Sequence, residues 1–238
     1  MKHEAGQKMI DGNGTGTKTD EGANQYYRNT RPEMLSFLPQ NRKRALEIGC
    51  AEGYFLSTIG GTTETWAVEA YPEVAKHAQS RIDKVLVGSF ESMRHKLPEK
   101  YFDLIICNDV IEHMADHDQF LTQIKSYIAP GGCIVGSIPN VRYYKNLFEL
   151  LFEKDWHYRG HGTLDKTHLR FFTEKSLRFS LEKAGFECKK IRGINKYMDR
   201  ISARDRSYMN IAKVLSIFTF GYFEDIGYLQ FAFQAQVK

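Results

Sequence analysis

Apolar residues along most of this chain fall into short runs, and turn residues separate the runs at regular intervals. The stretch "NQYYRNTRPEMLSFLP" carries Tyr27, Met34, Leu35 and Leu38 at helical spacing, and Pro39 closes it. Strand-like and helix-like segments then alternate: "RALEIG", "GYFLSTIG", "TWAVEA", "PEVAKHAQSRI", "KVLVGSF", "ESMRHKL", "YFDLIICND", "DHDQFLTQIKSYIAP" and "GGCIVGSIPN". Toward the end "TEKSLRFSLEKAGF" reads as a helix, with "ECKKIRGI" and "GYLQFAFQAQV" as strands. Strands this apolar, in alternation with helices, predict a doubly wound, Rossmann-like α/β fold with a mostly parallel sheet and helices on both faces.

Three regions break the rhythm. Residues 1–24 are polar and glycine-rich, with too little apolar surface to offset the entropy of ordering, and read as a flexible arm ahead of a single domain over 25–238. Their "GNGTGTKT" has Thr17 where a phosphate loop needs glycine before its lysine, and no strand precedes it. Insertions are expected at about 141–173, which is crowded with aromatics and histidines, and at 195–223.

A net charge of +4 is too small to indicate a nucleic-acid partner. Cys50, Cys107, Cys133 and Cys188 form no close pair and read as reduced core thiols of a cytoplasmic protein. Neither a secretion signal nor a membrane span is expected. Residues 189–213 hold eight basic residues against two acidic, with Lys196, Arg200 and Arg204 four apart and the apolar "VLSIFTFGYF" following. That arrangement suits either a solvated face beside a core-facing stripe or peripheral membrane contact through residues 196–223.

The loop "LEIGCAEGYF" after the first strand carries the most chemistry. A dinucleotide loop reads G-x-G-x-x-G, whereas this chain has Gly49, Ala51 and Gly53, with Glu47 two residues before the first glycine. A carboxylate there is awkward beside a pyrophosphate but useful beside an ammonium. Glu69, at the end of the second strand, stands where an acidic residue accepts hydrogen bonds from ribose hydroxyls. A ligand with a ribose and an ammonium but no pyrophosphate describes S-adenosylmethionine.

The ordered series "LEIGCAEG", "VEA", "VGSF", "FDLIICNDVIEHM" and "APGGCIVGSIPN" resembles the class I S-adenosylmethionine-dependent methyltransferases over about residues 26–190. The resemblance implies a seven-stranded sheet whose last strand is antiparallel. It also implies cofactor contacts from Glu47, Gly49, Ala51 and Gly53 at the methionine pocket and from Glu69 and Ala70 at the ribose. Gly88, Ser89 and Phe90 would border the adenine, Asn108, Asp109 and Val110 the sulfonium region, and Tyr27 and Arg31 would fold over the cofactor. The upstream "YYRNTRPEMLSFLP" together with "SIPNVRYYKNLFELL" and "LDKTHLRFFT" resembles a bacterial subgroup associated with cell-surface polysaccharide and O-antigen assembly. This implies O-methylation of a sugar hydroxyl in a glycan or glycolipid precursor.

An alcohol acceptor profits from a base. His113, His168 and Asp165 are the candidates, with His157 and His161 in the same insert, and no residue is assigned to a metal. Tyr143, Tyr144, Trp156 and Tyr158 suit either an aromatic wall for a sugar ring or a packed cap. The competing readings are a methyltransferase for quinone-like or phenolic small molecules, a nucleic-acid methyltransferase supported only by the basic stretch, and a cofactor-binding protein without turnover.

Overall fold

The computed structural model describes residues 30–196 and 202–238. Tyr27, Arg200 and the stretch read as an arm lie outside the described residues. Seven strands build one sheet: Arg44–Ile48 (β1), Glu64–Glu69 (β2), Lys84–Val87 (β3), Phe102–Asn108 (β4), Ile128–Pro139 (β5), Phe186–Lys196 (β6) and Tyr228–Val237 (β7). Their order is β3-β2-β1-β4-β5-β7-β6, with β7 antiparallel to both its neighbours and the other pairs parallel.

Alternation along the strands supplies two cores, one per face. Leu46, Ile48, Ile105, Cys107 and Phe233 point into one, while Ala45, Ala67, Leu104, Ile106 and Val135 point into the other. Covering helices are Tyr54–Thr58 (α1), Pro72–Ala78 (α2), Phe90–Met93 (α3), His117–Ile124 (α4) and Glu174–Lys183 (α6), the last opened by a capping box between Thr173 and Ser176.

The two insertions form one cap. Helix Tyr144–Phe148 (α5), continued by a π-helical turn over Glu149–Glu153, packs on helix Ala203–Phe218 (α7) through Tyr143, Tyr144, Phe148, Ala212 and Ile226. Lys145 pairs with Asp205 at 3.0 Å, and Tyr208 donates to Glu153 at 2.9 Å. Tyr143 and Tyr144 are therefore core residues of the cap and do not join a wall with Trp156 and Tyr158.

Other expectations need correction. The described part of the expected N-terminal helix is a six-residue 3-10 turn, Pro32–Phe37, preceded by Arg31 in a left-handed conformation. Strand β5 starts at Ile128, three residues before the glycine pair, since Ile128 already pairs with Phe102 of β4. Lys196 lies on β6 while Arg204 lies on α7, so the basic residues spaced four apart do not share a helix face.

Candidate functional site

Strand order reverses between β1 and β4, and their carboxyl ends, with that of β2, open at one edge of the sheet. Doubly wound sheets hold ligands at such a point. Each strand's ladder runs one residue beyond its end: Gly49 donates its N–H to the Val68 carbonyl, Gly88 to Glu69, and Asp109 to Ser137. The loops after these strands thus leave the sheet from fixed positions.

Gly49 has φ +69°, and a Cβ there would lie 2.8 Å from Val110 Cγ2, so the turn needs glycine both for its dihedral and for its contact. Ala51, in the middle of the loop, also has positive φ, at 51°. For an alanine this conformation costs about 1–2 kcal/mol. The Glu69 carboxylate compensates by accepting from the Ala51 N–H at 2.9 Å and, through its other oxygen, from the Tyr71 N–H at 3.0 Å. The Ala70 amide adds a further backbone contact to the same carboxylate. Burial raises the Glu69 pKa, against the backbone amides that lower it.

Glu47 shares a face of β1 with Ala45, so its carboxyl is carried into the sheet interior just below the loop. Burial pushes it to about 8, with the Arg31 guanidinium and the Leu56 amide opposing. Among the described residues one Glu47 carboxyl oxygen, Oε2, has no hydrogen-bond partner, and neither the oxygen nor the nitrogen of the Asn108 amide has one. Buried polar groups normally find partners, so orphans gathered at one strand edge imply a ligand that supplies them.

Arg31 donates to Ser137 Oγ at 3.3 Å and pairs with Asp109 at 2.9 Å, drawing the 3-10 turn across the ends of β4 and β5. Asp109 also accepts from Ser137 Oγ at 2.8 Å and from Gln230 at 2.6 Å. With φ of 44° and 52°, Arg31 and Asp109 join Ala51 as non-glycine residues in the left-handed region at this one edge. Such strain gathers where function over-determines the backbone.

Gly88 and Ser89 form the neighbouring rim, with Ser89 capping α3 by accepting from the Ser92 N–H. Phe90 departs from expectation: its ring is buried against Phe120 and Tyr127, in the core and not on the rim. Ala70 is exposed beside Glu69.

The histidine candidates come together, although 55 residues separate His113 from His168 in the chain. The Glu112 carbonyl accepts from the Leu169 and Arg170 N–H groups at 2.8 and 3.1 Å, tying the turn after β4 to the end of the first insertion. The two imidazoles then meet at 4.8 Å between ring centres. Asp165 acts electrostatically on both imidazoles, but its side-chain hydrogen bonds go to Thr167. It accepts from the amide and hydroxyl of Thr167 at 2.8 and 2.6 Å, which shapes the turn that presents His168. Although burial acts to raise it, the Thr167 bonds hold the Asp165 carboxyl below its usual pKa.

Glu112 was missed from sequence. Only 1 % exposed, it places both carboxyl oxygens without a hydrogen-bond partner among the described residues, and burial raises it well above the usual carboxylate range. The available signal was a charged residue inside the apolar run "DVIEHM". Trp156 and Tyr158 each contact Phe171, a smaller aromatic group than four residues would make, and His157 and His161 are exposed.

This edge has the layout of a nucleoside-binding class of α/β enzyme: a glycine loop, an acid at the end of β2 and orphaned polar groups at the end of β4. The methyltransferase domain family matches residues 21–191, and the chain belongs to it. A protein of Mycolicibacterium smegmatis named "probable S-adenosylmethionine-dependent methyltransferase" is 28 % identical over 151 residues, covering 63 % of this chain and 54 % of that protein. A trans-aconitate 2-methyltransferase of Methylobacterium radiotolerans is 26 % identical, covering 47 % and 45 %. The chain thus spans about half the length of these curated relatives. A solved S-adenosylmethionine-dependent methyltransferase of Thermotoga maritima, titled "possible histamine N-methyltransferase", superposes with a TM-score of 0.62 at 18 % identity, covering 93 % of this chain and 97 % of that one. At that identity the likeness bears on the fold alone.

Proposed function

We propose that this chain transfers a methyl group from S-adenosylmethionine to a hydroxyl of a polar acceptor. The observation that carries this reading is the set of orphaned polar atoms on Glu47 and Asn108, between the Glu69-anchored loop and Asp109. Glu47 and Asn108 suit the amino-acid end of the cofactor, Glu69 suits the ribose, and Gly88 with Ser89 the adenine. The methyl group then faces the turn carrying Glu112 and His113. Displacement at a sulfonium methyl is driven by alignment, and a hydroxyl acceptor also needs its proton taken. His113 and His168 offer the nearest basic nitrogens, with Asp165 as a positioning residue.

A sugar hydroxyl of a glycan or glycolipid precursor is the acceptor we favour. Three features support it: the resemblance of the inserts to the polysaccharide-associated subgroup, the Trp156–Phe171–Tyr158 group, and a cap surface suited to a lipid-linked substrate. On α7 and just beyond it Ile217, Phe218 and Tyr222 are 74–79 % exposed and Phe220 fully so, while Arg204, Arg206 and Lys213 share the helix. Leu150, Leu151 and Phe152 are exposed on the π-helical turn, which meets α7 where Phe152 stacks on Tyr208. A basic helix with an apolar end fits an anionic membrane surface. Among the described residues no helix is long and apolar enough to cross a membrane. A second reading, a soluble small-molecule acceptor, is favoured by the similarity to a trans-aconitate methyltransferase.

The test is transfer of radiolabelled methyl from S-adenosylmethionine to lipid-linked glycan extracts and, separately, to small carboxylic and phenolic acceptors. Label in the glycan fraction supports the first reading. Label confined to small molecules replaces it with the second, and cofactor binding without label anywhere overturns both.

A further inference from the structure

We propose that Glu112, His113 and His168 form a binding site for one first-row divalent cation, such as zinc or manganese, beside the methyl-transfer pocket. One ligating atom from each of the three lies within 4.8 Å of the others. A cation at the usual bond length of about 2.1 Å spaces its ligands roughly 3–4 Å apart, so side-chain shifts of about an ångström close the set. His168 Nε2 already stands 3.9 Å from Glu112 Oε1.

The ligands are prepared in ways that core packing does not require. His113 Nδ1 lies 3.1 Å from the Thr167 carbonyl, and His168 Nδ1 lies 3.1 Å from the Thr163 carbonyl. A carbonyl only accepts, so each Nδ1 carries the proton and each Nε2 keeps its lone pair. Backbone carbonyls orient metal-binding histidines in this same way. Glu112 is the independent observation. A carboxyl 1 % exposed with neither oxygen hydrogen-bonded among the described residues is costly unless a charge arrives to meet it. The two imidazoles flank it, and the Leu169 and Arg170 amides hold its backbone in place.

Two nitrogens and one carboxylate favour a borderline cation over magnesium or calcium, which prefer all-oxygen sets. Three protein ligands leave coordination positions open, as catalytic sites do. The use of the ion rests on the methyl-transfer reading. With the ion bound, His113 and His168 would act as its ligands in place of bases: an acceptor hydroxyl at an open position would have its pKa lowered and would give its proton to solvent. Its oxygen then forms the new C–O bond while the S–CH3 bond breaks, and that bond's electron pair returns to sulfur, leaving a neutral thioether.

The test starts from the full chain stripped with a chelator and titrated with Co2+, followed by visible absorption, and then with Zn2+. Expected are one Co2+ per chain with ligand-field bands, displacement by Zn2+, and a rise in melting temperature on adding Zn2+. Glu112→Gln is expected to weaken binding at least tenfold and to abolish the thermal rise. His113→Ala, at an exposed side chain and so tolerable to the fold, is expected to weaken it likewise. Titration with S-adenosylmethionine runs alongside, with both variants expected to bind it within about twofold of the unaltered chain. Absence of a Co2+ band, or binding as tight in both variants as in the parent, overturns the ion site even if the cofactor binds. Loss of cofactor binding with the Co2+ site intact overturns the methyl-transfer reading instead.

Discussion

If Glu47 meets the ammonium of S-adenosylmethionine, cofactor binding must expel a proton. Its buried carboxyl has a pKa near 8 before binding, so at pH 7 about nine-tenths of the protein holds Glu47 neutral. An ammonium beside it favours the carboxylate, which releases close to one proton per cofactor bound at pH 6 and about 0.9 at pH 7. The cofactor's own amine, with an ordinary pKa of about 7.8, is about 98 % charged at pH 6 and about 86 % at pH 7, so it takes up about 0.1 proton at pH 7 and the net release there is about 0.8. Affinity therefore rises roughly eightfold from pH 6 to pH 7 and levels off near pH 8, where more than half of the amine has lost its charge. Calorimetry in two buffers of different ionisation enthalpy reads the proton count directly. Glu47→Gln, which keeps the shape and cannot ionise, removes both the proton release and the pH dependence while weakening binding. An unaltered chain that releases no proton at pH 6 and binds equally well at both pH values refutes the placement of Glu47 beside the ammonium.

The same group sets a sign for stability. A folded-state pKa near 8 against an unfolded value of about 4.5 means that folding takes up a proton between those values, so ligand-free stability falls as pH rises through that window. Thermal melts at pH 6 and pH 9 check this, and Glu47→Gln flattens the difference. If Glu69 holds the ribose, Glu69→Ala removes two charged hydrogen bonds to it along with the anchor of the Ala51 amide, and is expected to weaken cofactor binding roughly a hundredfold by calorimetry. Gly49→Ala drives a methyl group into Val110 at positive φ, and we expect cofactor affinity to drop tenfold or more along with a lower melting temperature. Replacing Phe218 and Phe220, 79 % and fully exposed, with serine is expected to abolish sedimentation with anionic vesicles while leaving the melting temperature unchanged, because neither ring is packed.

Much of the sheet was legible because its signal is local. Runs such as "FDLIICN" are buried on both faces and admit little but a central parallel strand, and β4 is buried at all seven positions. The edge proposed for the cofactor follows a related logic: Glu47, Gly49, Ala51 and Glu69 are fixed by their distance from strand ends, and the fold turns sequence offsets into positions. What escaped depends on long-range packing. Phe90 is one residue from the rim, and only the positions of Phe120 and Tyr127 decide that its ring turns inward. Tyr143 and Tyr144 suited either a sugar-binding wall or a packed cap, and α7, some 60 residues later, decides for the cap by covering them. Glu112 was hidden by its neighbour: His113 drew the chemical reading, while the buried carboxyl beside it became visible only once the 163–170 loop folded back onto the turn.

The most direct measurement is calorimetric titration of the full chain with S-adenosylmethionine and, in parallel, with NAD. One S-adenosylmethionine bound per chain at micromolar affinity, with no heat from NAD, is the predicted result. Failure of S-adenosylmethionine to bind, or binding of NAD in its place, would contradict the account.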